Sequence, residues 1–192
     1  IVLQPAVKNS EIDHELVKLL AKQLNIVRPL AEVLYTRGYT DIDKLNSFLN
    51  INYDALFNPQ NQRILIENAE IIKTTINTGH KITVYGDYDV DGICATAILY
   101  RAIKELGGQV EYYLPNRHNE GYGLNSGAVE RIAATGTKLL VTVDCGIASF
   151  KEVETAKAAG MQVIITDHHE LPDTLPQCPI INPKMGNMGY KD

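Results

Sequence analysis

Of the 192 residues, 45% are hydrophobic and 21% charged, a balance that fits a folded globular protein and excludes a disordered one. No apolar run approaches the ~20 residues of a membrane span, and Ile1-Val2-Leu3-Gln4-Pro5 has no basic lead into an apolar stretch. We therefore expect no span and no signal peptide, and a cytoplasmic location. The formal net charge of -5 argues against a broad phosphate-neutralising surface, but not against carboxylates that hold cations.

The first part reads as helical. Ser10 ahead of Glu11-Ile12-Asp13 resembles a cap, and Leu16, Leu19, Leu20 and Leu24 recur at helical spacing. Pro29 suits a first turn, with Leu30, Val33 and Leu34 forming a stripe that ends before Gly38. Thr40 with Asp43 reads as another cap, ahead of Ile42, Leu45, Phe48 and Leu49. Ile64, Leu65, Ala69, Ile72 and Ile76 then mark a longer helix that stops at Gly79.

From Lys81 short apolar strands alternate with helices. Strands are expected at 82–85, 109–114, 139–143 and 162–166, with a short fifth at Ile180-Ile181. Helices are expected from about Ile93 to Leu106, through Val129 and Ile132, and near Phe150 to Ala159. This is an α/β fold, a mostly parallel sheet flanked by helices, preceded by a small helical segment. We expect a helical part at 1–79 and an α/β core at 80–192. Nothing after Met185 reads as a closing element, so the core is expected to be truncated there. Cys94, Cys145 and Cys178 form no C-x-x-C pair and are expected to be reduced and packed.

Three clusters follow three of these strands. They are Gly86-Asp87-Tyr88-Asp89-Val90-Asp91-Gly92, then Asp144-Cys145-Gly146, then Asp167-His168-His169. In an open parallel sheet the loops beyond the strands' carboxyl ends gather at one rim, so residues distant in sequence converge there. Two like charges 4 Å apart repel by roughly 4 kcal/mol at an effective dielectric of 20, a cost that a divalent cation turns into affinity. Oxygen donors with an imidazole favour Mg²⁺ or Mn²⁺. An EF-hand is excluded, because counting from Asp87 puts Ile98 where the twelfth-position glutamate belongs. Asp91 and Asp144 each have a simpler reading as a helix or turn cap. Their company with Asp-His-His favours the metal. The loop from Pro115 to Asn125 lies at the same end of the second strand. Arg117 offers a planar fork for phosphate there, and Tyr122 a ring on which a base can stack.

Together with Pro115-Asn116-Arg117, Gly121-Tyr122-Gly123 and Ile181-Asn182-Pro183, these clusters resemble, in order and spacing, the RecJ-like members of the DHH phosphoesterase family. The resemblance implies a metal-dependent 5′→3′ exonuclease on single-stranded DNA, serving recombination and repair. It implies that Asp87, Asp89, Asp91, Asp144 and His168 hold metal, without dividing the three aspartates of the first cluster into direct and indirect ligands. Asp167 would orient or ligate, and His169 would face the scissile phosphate or protonate the leaving oxygen. Asp144, His168 and His169 are thus the expected catalytic set. Cys145 stands where family members often carry asparagine. The family has a further aspartate and a nucleic-acid-gripping domain beyond these motifs, and neither fits after Pro183. A two-metal Mn²⁺ or Mg²⁺ site is therefore implied for the full-length enzyme, with these residues alone weakly active or inactive. The competing reading within the family is a small-molecule phosphoesterase acting on oligoribonucleotides, cyclic dinucleotides or pyrophosphate. A non-catalytic scaffold of the same ancestry would have lost the ligands retained here.

Overall fold

The structure, a computed structural model, describes residues 12–50, 58, 62–116, 120, 121 and 123–186. The expected cap at Ser10 lies outside them. By internal contacts the chain divides into two units between Phe57 and Asn58. In the first, α1 (His14–Gln23), α2 (Arg28–Thr36) and α3 (Ile42–Leu49) close on Val17, Leu20, Ala31, Leu34 and Leu45. Asp13 caps α1 by accepting from the Glu15 and Leu16 N–H groups, and Pro29 sits in the first turn of α2. Asp41, rather than Thr40, caps α3, accepting from Asp43 and Lys44 N–H. Standing directly before the first helical residue, it satisfies two orphan donors and places a negative charge at the positive end of the helix dipole.

The second unit begins with α4 (Arg63–Asn77), the helix expected to end at Gly79. Sequence had grouped it with the preceding helices. Its Ile71, Ile72 and Ile76 instead pack against the sheet, which moves the division from residue 79 to 57. The sheet holds β1 (Ile82–Tyr85), β2 (Val110–Tyr113), β3 (Leu139–Val143), β4 (Gln162–Thr166) and β5 (Ile180–Ile181). All pairings are parallel, in the order β2-β1-β3-β4-β5. Alternation assigns the two faces. Ile82, Val84, Leu139, Val141, Val143 and Ile164 meet α4 and α5 (Val90–Glu105) on one side. Tyr85, Leu140, Val163 and Ile165 meet α6 (Ser126–Ala134) and α7 (Phe150–Ala158) on the other. Burying a Leu, Ile or Val contributes ~1.5–3 kcal/mol, against about 1 kcal/mol for a typical hydrogen bond. Core packing, more than any bond at the rim, therefore fixes where the strand ends lie.

The chain leaves β1 toward β2 on one side and proceeds through β3, β4 and β5 on the other, so the direction of winding reverses between β1 and β3. In open α/β sheets such a reversal opens a crevice at the strands' carboxyl ends. Helix α5 starts at Val90, earlier than the apolar spacing from Ile93 indicated, because Asp89 caps it. Among the three cysteines, Cys145 is buried and Cys178 partly so, whereas Cys94 is exposed and not packed as expected, since α5 turns it outward. Among the described residues no helix is long and apolar enough to cross a membrane.

Candidate metal centre

The loop after β1 is shaped by two close approaches of backbone. A Cβ on Gly86 would lie 1.9 Å from Thr96 Oγ1, and one on Gly92 would lie 2.5 Å from the Asp87 nitrogen. Glycine is required at both positions by proximity, and the result is a loop folded tightly onto the first turn of α5. Asp89 Oδ1 accepts the Gly92 N–H at 2.9 Å, and the buried Asp87 accepts the Tyr88 N–H at 2.7 Å. The loop thus turns both carboxylates toward the crevice between β1 and β3.

After β3 the backbone reverses sharply. Asp144 takes a left-handed conformation with φ of 61°, which aspartate tolerates better than most residues, and its N–H donates to Thr166 O at 2.9 Å. Thr142 Oγ1 donates to Cys145 O at 2.7 Å and secures the turn. The Asp144 side chain is 7% exposed, whereas His168, which meets its Oδ1 through Nε2 at 2.9 Å, is 60% exposed. Burial raises the Asp144 carboxyl above its ordinary value, and repulsion from Asp89 adds to this against the opposing pull of His168 and His169. A cation held there would relieve that repulsion.

After β4, Asp167 is enclosed by N–H groups. Its Oδ1 accepts from His168 N at 2.7 Å, His169 N at 3.0 Å and His169 Nδ1 at 2.7 Å, and its Oδ2 accepts from Ile147 N at 2.9 Å. Burial pushes the Asp167 carboxyl up, but the hydrogen bonds from His169, Ile147 and His168 outweigh it and hold the group below the ordinary aspartate value. Asp167 is an ionised acceptor fully engaged in orienting its neighbours.

Two groups of donors result. Asp87, Asp89 and Asp144 bring ligand atoms within 4.8 Å of one another, and Asp144, His168 and His169 do the same. Asp144 belongs to both. Asp91 lines the same open cleft of about 350 Å³ with Asp144, Asp167 and His168, but from the first turn of α5 and outside both groups. The donor chemistry, carboxylate oxygens with imidazole nitrogen around an accessible cleft, fits Mn²⁺ or Mg²⁺. A more enclosed cavity of about 280 Å³, lined by Ile71, Met161, Val163 and Cys178 among others, is mainly apolar and holds no comparable group.

Arg117 and Tyr122 lie outside the described residues. Their flanks are firmly held. Tyr113 and Arg131 donate to Glu120 Oε1, the Asn116 N–H donates to Oε2, and Tyr85, stacked on Tyr113, donates to Gly123 O at 3.0 Å. Hydrogen bonding to Tyr113 and to Asn116 N–H keeps the Glu120 carboxyl below its ordinary range. Sequence reasoning gave no role to Glu120 or to Asn182, whose amide donates to His169 O. An asparagine placed at the end of β5, at the rim where the other clusters meet, was the available signal.

A parallel α/β sheet with acidic and histidine loops at its winding reversal defines a class, and residues 81–189 match the DHH family, N-terminal domain. The chain belongs to the DHH family. Within it, the chain is 38% identical over 179 residues to the single-stranded-DNA-specific exonuclease RecJ of Bacillus subtilis (strain 168), covering 93% of this chain and 23% of that protein. A crystal structure of exonuclease RecJ bound to manganese is 35% identical with a TM-score of 0.63, over 68% of this chain and 34% of that one. RecJ from Thermus thermophilus in complex with Mn²⁺ is 25% identical with a TM-score of 0.66, over 97% of this chain and 25% of that one. The chain spans 23–34% of the length of these relatives.

Proposed function

We propose that this chain forms the metal-binding part of a 5′→3′ exonuclease that hydrolyses phosphodiester bonds of single-stranded DNA in recombination and repair, acting in the cytoplasm. The observation that carries the reading is Asp144, one carboxylate common to two donor groups that could each hold a cation. Asp87 and Asp89 with Asp144 would hold one ion, and His168 with Asp144 the other, with Asp91 close enough to the cleft to assist. Bound there, Mn²⁺ or Mg²⁺ supplies Lewis acidity toward a phosphoryl oxygen and lowers the pKa of water.

The histidines divide the remaining work. His168 Nε2 is directed at Asp144, which suits a ligand. His169 gives Nδ1–H to the ionised Asp167, so its Nε2 is the nitrogen that carries the transferable proton. In the imidazolium form it donates that proton to the leaving oxygen as the phosphorus–oxygen bond breaks. Asp167 steadies the imidazolium and remains ionised throughout. Arg117 would grip a phosphate and Tyr122 would stack on a base, both on the loop whose flanks Glu120 fastens.

The test uses the full-length protein with 5′-labelled single-stranded DNA and, separately, a short dinucleotide. Mn²⁺-dependent release of nucleotides from the DNA is expected, abolished by EDTA and reduced at least ~10²-fold in Asp89→Ala and His168→Ala. Turnover of the dinucleotide alone would favour a small-molecule phosphoesterase. Unchanged turnover in both variants would remove the site.

A further inference from the structure

The loop that carries His168 and His169 is held from two sides, and Asp167 accounts for only one. On the other stands Asn182, directly after β5, with 0% of its surface exposed. Its Nδ2 donates to the His169 carbonyl at 3.0 Å, and its Oδ1 accepts the Lys184 N–H at 2.9 Å. The Asp167 N–H donates to Ile181 O at 3.0 Å, so strand pairing brings Asn182 level with the loop. His169 is thereby fixed at three atoms. Its N and Nδ1 are bound to Asp167, and its O to Asn182.

A turn-forming asparagine needs only the acceptor half of its amide, here the bond to Lys184 N. Donation to a carbonyl in another loop is a separate function. Aspartate, of the same size, would keep the acceptor and lose the donor, setting oxygen against oxygen in a buried place.

We propose that Asn182 is a positioning residue for His169: it fixes the main chain from which the imidazole is presented to the scissile phosphate, and it holds no cation. The proposal rests on the reading of His169 as proton donor. Its substrate is the same single-stranded DNA.

The experiment uses the full-length protein with Mn²⁺. Asn182→Asp is expected to lower kcat by about 10–100-fold, the usual effect of removing a group that orients a site residue. KM for DNA and Mn²⁺ affinity by calorimetry should stay at wild-type values, while the melting temperature falls because the carboxylate is buried against a carbonyl. In a His169→Ala background the same substitution should cost nothing further, because the group being positioned is gone. Should the buried carboxylate prevent folding, Asn182→Ser, too short to reach His169 O, takes its place in every arm. Wild-type kcat in the single variant overturns the proposal. So does a loss matched by weaker Mn²⁺ binding, or one that persists in the His169→Ala background. If His169→Ala itself leaves turnover intact, the reading of His169 fails and the proposal fails with it. If His169→Ala is inactive while Asn182→Asp keeps wild-type kcat, the proposal alone fails.

Discussion

Four N–H groups converge on the Asp167 carboxylate, and this separates it from Asp144, which meets two imidazoles and two other aspartates. On the proposed reading, the first residue in the Asp-His-His cluster would be an organiser, and the aspartate after β3 the ligand that the two groups would share. Asp167→Asn is expected to reduce kcat by about 10–100-fold, because an amide turns a donor toward either Ile147 N–H or the His169 ring. Mn²⁺ affinity, followed by calorimetry, should fall far less than in Asp144→Ala. Equal losses of affinity in the two variants would return Asp167 to the ligand set. That three clusters would meet at one rim was legible in the sequence, since strand ends and acidic loops are both visible there. The division of labour was not, because it depends on distances of 2.7–3.0 Å between atoms that share no sequence pattern.

At the level of elements, the strands were read most accurately. The bounds of β1, β3 and β4 coincide with the expected runs; β1 and β3 are buried along their whole length, and β4 through Val163, Ile164 and Ile165. Helix starts were read less well. Asp89 and Asp41 cap their helices ahead of the first apolar repeat, and periodicity sees only the repeat. The two glycines around the β1–α5 loop were legible as a motif, but their reason was not, since neither has a positive φ and both are required by neighbouring atoms. This has a measurable consequence. In Gly92→Ala the new methyl meets the Asp87 nitrogen and Cα, atoms of the main chain that cannot rotate aside. The overpacking should cost about 1–3 kcal/mol in urea unfolding. It should also displace Asp87 and Asp89 enough to weaken Mn²⁺ binding, and a variant with wild-type affinity would show that the loop tolerates the shift.

For the molecule as a whole, the order β2-β1-β3-β4-β5 explains why the site stands where it does and why a chain spanning 23% of its Bacillus subtilis relative contains both donor groups. Both donor groups are assembled once β1, β3 and β4 lie side by side. The acidic balance of -5 argues against a broad phosphate-neutralising surface on this chain. Those three strands are far apart along the chain, and β3 must slot between β1 and β4 before the donors on their ends can meet. Collapsed states that lack this insertion have no complete ligand set, so Mn²⁺ discriminates between the finished fold and everything before it. An ion that recognises only the end product retards escape from it and does nothing to hasten arrival. Stopped-flow experiments should therefore find unfolding slowed by Mn²⁺ while the refolding rate is unaltered; an accelerated refolding limb would mean that the three strand ends come together early.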